Sequence, residues 1–190
     1  MNARALAIVA ALASFGAAGA QAQVYESAHL GAGHARFDCT GTSACDTGGT
    51  AFRLTGGYVV YDRIAVELGF INFGKAKATV PDPAIGDMDF EYKASAFTLG
   101  LAYQLPISQE WGANFRLGMA NVTAKATVAN AGIKFDLGDE RKNKLYWGLG
   151  GNYAFSKNVM MELSADLSRA NYNGNKVDLR AITLGGRYSF

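Results

Sequence analysis

Few residues in this chain have the types and spacing that catalytic chemistry would need. A serine becomes a nucleophile only when a base lies within hydrogen-bonding reach, and a His-x-Ser pair is one arrangement that provides it. His29 and His34 are the only two histidines, and Gly31 and Arg36 stand two residues after them. We therefore predict no catalytic residues and no cofactor, and we expect that the protein is not an enzyme.

Cys39 and Cys45 are the only two cysteines, and they lie in a segment rich in glycine, threonine, serine and aspartate. We expect them to form one disulfide, because an exported chain meets an oxidising compartment. The alternative is a metal site, but the neighbouring His34, Asp38 and Asp46 lack a recognised ligand spacing. The sequence thus predicts a disulfide here and no metal centre.

The elements that must position the remaining polar residues are β-strands. From Val24 onwards, apolar residues alternate with polar or small ones in blocks of about ten residues, which is the period of a strand. The first block is the least regular of the series. Eight strands are predicted, at about 24–35, 50–61, 64–75, 90–105, 111–125, 144–155, 159–171 and 177–190.

The connections between these strands alternate in length. Short ones are predicted at 62–63, 106–110 and 156–158, and long polar ones at 37–49, 76–89 and 126–143, with a shorter Asn-Gly turn at 172–176. Short turns at one end and long loops at the other are typical of outer-membrane barrels. The three prolines fall in the connections, where no ladder hydrogen bond is lost.

The N-terminus has the pattern of a secretory signal peptide. Residues 1–4 carry one positive charge, residues 5–15 are apolar, and small-x-small sites end at Ala20 and Ala22. The apolar run is short for a helix that must cross about 30 Å of hydrocarbon. We predict a signal peptide at 1–22 that is removed after Ala20 or Ala22, and one domain at 23–190.

The mature chain has a formal net charge of only +1 once Arg4 is removed, which argues against a nucleic-acid partner. It also has no run of about 18 apolar residues, so it could cross a membrane only with strands, and such strands must close on themselves. We therefore predict an all-β fold, an eight-stranded antiparallel up-and-down transmembrane β-barrel. A soluble barrel of the lipocalin kind is the alternative, because alternation alone does not say which face points outward.

The distribution of large side chains favours the membrane barrel. The apolar face carries the large residues, whereas the opposite face is small or charged, which suits a narrow polar interior. Aromatic residues collect near strand ends, as in two interfacial girdles. They are Tyr58, Tyr103, Trp111, Tyr153, Phe155 and Tyr188 near the short turns, and Phe52, Phe70 and Trp147 near the long loops.

The chain resembles the OmpA-like transmembrane domain and the related opacity/OmpX-type small barrels. The C-terminal segment 183–190, with Gly185, Tyr188 and Phe190, is similar to the terminal signature of that family, and 56–70 is similar to a hairpin common in it. The resemblance implies location in the cell outer membrane and recognition of the last strand by the barrel-assembly machinery. The chain stops at Phe190, so a wall-tethering domain of the kind that full OmpA proteins append is not expected.

If the apolar face contacts lipid, the parity of the strands places six charged residues inside the barrel. They are Arg53, Glu67, Arg116, Glu162, Asp166 and Arg187, here called the lumen charge network. A lone buried charge costs several kcal/mol, so these groups should be paired or hydrated. An eight-stranded interior is just wide enough for side chains to fill it, so we predict a structural plug; the alternative is a small ion or solute pore.

The predicted function is a structural one in envelope integrity, with possible surface binding or adhesion through the external loops. Function on such scaffolds resides in loops, and the basic residues there are expected to meet outer-membrane lipid and lipopolysaccharide. A host or other surface ligand could bind the same loops. Eight-stranded outer-membrane barrels also include acyl-modifying enzymes, which are the third alternative. The His-x-Ser pair that the deacylases use is absent from this sequence, whereas a palmitoyltransferase-like arrangement of a histidine with a distant serine stays open.

Overall fold

The structure is a computed structural model that describes residues 24–36, 39–81, 86–130, 133–172 and 175–190. The signal peptide predicted at 1–22 and both of its cleavage sites lie outside these residues. Within the described ranges, no helix is long and apolar enough to cross a membrane.

Nine strands make up most of the described part of the chain. They are β1 (Val24–Arg36), β2 (Ala44–Asp46), β3 (Gly48–Tyr61), β4 (Ile64–Val80), β5 (Met88–Pro106), β6 (Trp111–Asn130), β7 (Ile133–Ala154), β8 (Val159–Tyr172) and β9 (Asn175–Ser189). Eight of them form one antiparallel sheet in chain order, closed by pairing of β1 with β9, and β2 is a short extra strand on β4. The predicted eight-stranded antiparallel barrel is confirmed.

The seam between β1 and β9 closes the barrel. It runs in register from Tyr25 opposite Ser189 to Arg36 opposite Asp178. A Cβ atom on Gly31 would lie 2.0 Å from the carbonyl oxygen of Ile182. No side chain fits at that distance, so the close approach of the two strands requires glycine at this position. This requirement explains why the first predicted strand alternates so poorly.

The faces of the strands have the predicted orientation. Large apolar side chains point outward and are exposed, for example Leu68 at 57 % and Leu99 at 59 %. All six members of the lumen charge network point inward and are at most 6 % exposed. An outward apolar surface of this size cannot face water, so the inside-out arrangement of a soluble lipocalin-type barrel is ruled out.

Aromatic side chains border the outer apolar surface at both ends. Phe70 lies between Phe52 and Phe97 at the long-loop end, with ring centroids 5.7 and 5.0 Å apart. At the short-turn end, Tyr153 contacts Trp111 and Phe155 at 4.9 and 5.1 Å. These two belts match the interfacial girdles of a membrane barrel.

Two long loops were predicted wrongly, because half of the residues at 76–89 and most of those at 126–143 are strand. β4 continues to Val80 and β5 begins at Met88, while β6 reaches Asn130 and β7 begins at Ile133. Outside hydrocarbon the outer face of a sheet meets water, so regular apolar alternation is not needed to keep a strand. We call these parts of β4 to β7, residues 75–80, 88–93, 125–130 and 133–139, the external sheet.

We expect Gly31→Val to prevent closure of the barrel, because its side chain would collide with the backbone of β9. The mature chain, refolded in detergent, should then lose the fast-migrating form that closed barrels show on SDS gels before boiling. Gly56→Val is the matched control, since a Cβ at Gly56 has no atom within 4 Å. Retention of the fast form by Gly31→Val would contradict this account of the seam.

Candidate functional site: the lumen and the outer face

Glu162 lies at the centre of the lumen and receives all three arginines of the charge network. The guanidinium of Arg187 is 2.7 Å from one carboxylate oxygen, and Arg116 donates directly to the other. Arg53 contacts that second oxygen at 3.6 Å. β8 delivers Glu162 at an inward position with a fully buried side chain. One carboxylate therefore joins cations from three other strands.

The other two acids balance the remaining positive charge. Glu67 lies 3.1 Å from Nε of Arg116. Asp166 contacts Arg53 at 3.4 Å and Arg116 at 3.9 Å. Three cations and three anions thus meet in one cluster, and such a balance is what a buried site of low dielectric requires. The structure brings all six sequence-predicted residues together.

Two tyrosines and a serine, which were not predicted from the sequence, also join this cluster. Tyr25 donates to Glu67 at 2.7 Å, Tyr146 donates to Asp166 at 2.6 Å, and Ser164 donates to Glu162 at 2.8 Å. Ser164 shares the inward face of β8 with Glu162 and Asp166. The signal that would have found them is parity, because each lies an even number of residues from an inward position on its strand.

His29 also points into the lumen rather than toward lipid. Its side chain is fully buried, and its Nε2 lies 3.9 Å from Glu162. Neither ring nitrogen has a hydrogen-bond partner among the residues that the structure describes. An acyl chain in the membrane could not reach this ring, which lies behind the wall of the barrel. His34, at the other end of β1, faces outward and is exposed.

The outer half of the lumen is apolar, and the prediction of a small-or-charged interior is wrong there. Ile71, Phe73, Val122 and Leu179 are each at most 2 % exposed and form one cluster above the charges. Alanines from the surrounding strands complete it. Tyr146 belongs to the same cluster, but its hydroxyl is directed to Asp166. The aliphatic and phenyl side chains offer no partner to water or to an ion, so they close the barrel on the external side of the charge network.

Open space lies at the opposite end, by the short turns. A cavity of about 240 Å³ is lined there by Gln104, Asn152 and Met160 together with turn residues such as Arg63 and Glu110. It is a vestibule below the charge network. Across the described ranges, no group of three or more His, Cys, Asp or Glu side chains could hold a metal ion.

The predicted disulfide is confirmed, and it fixes the first external connection. Cys39 and Cys45 are bonded, and Cys45 belongs to β2, where it pairs with Ala78 of β4. The backbone N–H of Ser43 donates to the carbonyl of Thr79 at 2.8 Å. The disulfide and β2 together cover the β4 edge of the external sheet.

Three lysines form a row on the outer face above the aromatic belt. Lys75 lies directly opposite Lys93, and Lys93 directly opposite Lys125, although like charges in such positions repel. Glu91 relieves part of this repulsion, with Nζ of Lys93 at 2.8 Å and Nζ of Lys75 at 3.9 Å. The hydrogen bond from Lys93 lowers the pKa of Glu91 and raises the pKa of Lys93. Lys125 is exposed.

The sequence of nearly the whole chain matches one family model. Residues 6–190 match the outer membrane protein beta-barrel domain. This chain belongs to the outer membrane protein beta-barrel domain family. The protein is therefore located in the outer membrane, and its exposed apolar belt is the surface that contacts lipid.

Solved structures of other outer-membrane barrels share this fold. Neisserial surface protein A has a TM-score of 0.60 at 14 % identity, covering 90 % of this chain and 100 % of that one. Ail of Yersinia pestis has a TM-score of 0.56 at 18 % identity, covering 88 % of this chain and 99 % of that one. The N-terminal β-barrel domain of Pseudomonas aeruginosa OprF has a TM-score of 0.53 at 14 % identity, covering 88 % of this chain and 98 % of that one. No curated protein matches the sequence.

The terminal residues that resemble the assembly signal of such barrels lie at the seam. Tyr188 and Phe190 point toward lipid, and their rings contact each other at 5.1 Å. The N–H of Phe190 donates to the carbonyl of Val24 at 3.0 Å. A Cβ on Gly185 would lie 2.0 Å from the carbonyl oxygen of Ala28. Recognition of these residues by an assembly machinery stays a prediction.

We expect Glu162→Gln to destabilise the barrel strongly, because three arginines would share only two carboxylates. Breaking a buried ion pair on one side costs roughly 3–5 kcal/mol, which should lower the midpoint of denaturant unfolding in lipid vesicles. Glu91→Gln is the control, since an exposed pair contributes only about 0–1 kcal/mol. Equal losses of stability in the two variants would contradict the central position of Glu162 in the charge network.

Proposed function

We propose that this member of the family is a non-conducting outer-membrane barrel whose role lies on its external surface. It would contribute to envelope integrity and bind at the cell surface through the external sheet and loops. The observation that carries this proposal is the filled lumen. A barrel that cannot pass solutes must act through what it presents outside, or through its contact with the membrane itself.

Two successive layers of side chains argue against a pore. The charge network is held by direct contacts among its own members, so an ion that entered would have to displace one of them. Above it, Phe73 and Ile71 are 2 % and 1 % exposed and provide no ligand for an ion. An ion leaves its hydration shell only where other ligands replace it, and the aliphatic and phenyl side chains of this layer provide none.

We expect the mature chain to show no conductance in planar lipid bilayers, even at high protein load. A heat-modifiable sample, checked on the same preparation, ensures that folded barrels were inserted. Current steps whose size changes with Arg116→Ala or Glu162→Ala would favour the pore instead. Both variants must be confirmed as folded before their currents are compared.

The lysine row supports a contact with lipopolysaccharide. Lys75, Lys93 and Lys125 point outward just above the aromatic belt, at the level where phosphate groups of the outer leaflet lie. Glu91 and Asp139, which lies directly opposite Lys125, relieve part of their mutual repulsion, and an anionic partner would relieve more. For comparison, the structure of Ail has been determined in complex with sucrose octasulfate, a heparin analogue. A sulfated or phosphorylated surface ligand suits the same row.

We expect Lys75→Gln/Lys125→Gln to reduce the stabilisation that lipopolysaccharide gives to the barrel. A basic residue near an anionic membrane surface contributes about 1 kcal/mol, so the rise in melting temperature on adding lipopolysaccharide to phospholipid vesicles should shrink. The control is Arg63→Gln/Lys157→Gln, which removes two cations at the short-turn end. If the rise in melting temperature shrinks equally in both double variants, the result would contradict a specific contact of lipopolysaccharide with the lysine row.

The remaining expectations belong to the same proposal. The segment 1–22 would act as a signal peptide, and 23–190 would form the membrane domain. The barrel-assembly machinery would recognise the last strand through Gly185, Tyr188 and Phe190. A host or other surface ligand would bind on the external side, away from the lumen.

A further inference from the structure

The two faces of the external sheet differ in charge. Ala94 and Ala124 are buried inside the barrel, and every second residue outward from them along β5 and β6 lies on the same side of the sheet. Residues of β4 and β7 that pair directly with these lie on that side too. This side, which we call the inner face, consists of Ala76, Ala78, Val80, Met88, Phe90, Tyr92, Ala126, Val128, Asn130, Ile133 and Phe135.

The charged residues of the same stretches all lie on the opposite, outer face. Within 75–80, 88–93, 125–130 and 133–136 they are Lys75, Lys77, Asp89, Glu91, Lys93, Lys125, Lys134 and Asp136. On the inner face of these ranges, Asn130 and the hydroxyl of Tyr92 are the only polar side-chain groups. Water on both sides of a sheet would not favour such a division, so the inner face is suited to an apolar partner.

A row of four directly paired apolar side chains crosses the inner face, one from each strand. They are Ala78, Phe90, Val128 and Phe135. The row ends at the disulfide on one side, because Cys45 lies opposite Ala78, and at Phe135, which is 55 % exposed, on the other. Below the row, Tyr92 packs against the buried layer that contains Phe73. The inner face therefore continues the apolar layer of the lumen upward, above the membrane.

We propose that the inner face binds a free, uncharged and slender apolar molecule, such as a hydrocarbon chain or a small aromatic compound, from the external medium. The inference rests on the proposed function, in which the external surface carries the role of the protein, and it names the chemistry of one ligand. The packed layer around Phe73 closes the lumen below, so the molecule is held at the mouth of the barrel rather than passed through it.

The charge and the curvature of the inner face determine what can bind there. A charged ligand would lose its hydration and find no counter-ion on this face, which is unfavourable. The face is the concave side of a wall whose curvature is set by an eight-stranded barrel, and the interior of such a barrel is just wide enough for side chains to fill. A folded protein does not fit into so narrow a curve, whereas a slender molecule does.

The position of the face determines the source of the ligand. Membrane lipid surrounds the outside of the barrel at the level of the apolar belt, below the lysine row. An acyl chain would have to leave the hydrocarbon and pass the charged outer face to reach Phe90 or Val128. A molecule dissolved in the external medium meets no such barrier.

Benzophenone is a suitable probe, because it is uncharged and, when irradiated, inserts into C–H bonds, readily at methionine. Met88 lies on the inner face, whereas Met119 and Met161 are exposed on the lipid-facing belt. The folded mature chain in phospholipid nanodiscs is irradiated at increasing benzophenone concentration, and the adducts are assigned by peptide mass spectrometry. Labelling of Met88 should saturate, as binding at a site does, while labelling of Met119 should rise steadily with partition into lipid. Labelling of Met88 that is absent or does not saturate would overturn the proposal.

Two neighbouring lysine substitutions distinguish the faces. Val128→Lys places a charge between Phe90 and Phe135 and should reduce the labelling of Met88 roughly tenfold or more, because binding would then bury an unpaired charge. Thr127→Lys is the matched control: it lies on the outer face between Glu91 and Asp136 and should be labelled like the wild type. Both variants are first checked for the heat-modifiable form on SDS gels.

Val128→Thr keeps the shape of the side chain and adds a hydroxyl group, so it should weaken the labelling of Met88 by a smaller factor. It serves as the test if Val128→Lys does not fold. Equal losses of Met88 labelling in Val128→Lys and Thr127→Lys, or unchanged labelling in both Val128 variants, would overturn the proposal.

A phospholipid that carries benzophenone at the end of an acyl chain tests the source of the ligand. It should label Met119 and Met161 but not Met88, and labelling of Met88 by this lipid would overturn binding from the external medium. The conductance measurement fails separately: current steps would contradict the filled lumen and leave the labelling of Met88 unchanged, whereas loss of saturable labelling would leave a silent bilayer silent.

Discussion

Hydrocarbon offers no hydrogen-bond partner to a peptide group, so a sheet can cross the outer membrane only when its first and last strands pair. In this chain that requirement falls on β1 and β9. Their close approach leaves no room for a Cβ at Gly31 or Gly185, which is why a strand with weak alternation forms the seam. Once the seam is closed, eight strands fix the radius of the barrel, and that radius leaves an interior that side chains fill. The chemistry of the interior is therefore a consequence of closure.

Within that interior, the charges have to satisfy one another. Three arginines and three acids project from β3, β4, β6, β8 and β9, and Glu162 contacts all three arginines. Such a cluster contributes specificity of register more than net stability, because desolvation offsets much of the attraction. A shift of one residue in any of these strands would point its charge at lipid. We interpret the network as a device that fixes register in a closed sheet, with the apolar layer above it sealing the barrel.

The six charges could be placed from the sequence because the period of a strand is two and the faces differ in size and polarity. The same rule failed beyond Asn72, where a bulge between Asn72 and Lys75 changes which residues point inward. Tyr25 and Tyr146 were missed because tyrosine is equally common in interfacial belts, so its type alone does not assign it to the lumen. The extra length of β6 and β7 was missed for another reason: above the membrane, cross-strand pairs such as Lys125 with Asp139 can maintain a strand that has no apolar face to reveal it.

The difference between the strands inside the membrane and those above it also explains which part of the protein can evolve a binding surface. Inside the membrane every edge must be paired, so sequence variation there is confined to side chains that fit lipid or lumen. Above the membrane water satisfies an open edge, and the constraint ends. The external sheet uses that freedom unequally: one edge is covered by β2 and a disulfide, and charges line the lower part of the other. At the outer end of β7, Ile133 and Phe135 are exposed apolar side chains outside the lipid-facing belt. The surface above the membrane, where pairing and lipid contact no longer constrain the side chains, is where we expect selection for binding to have acted.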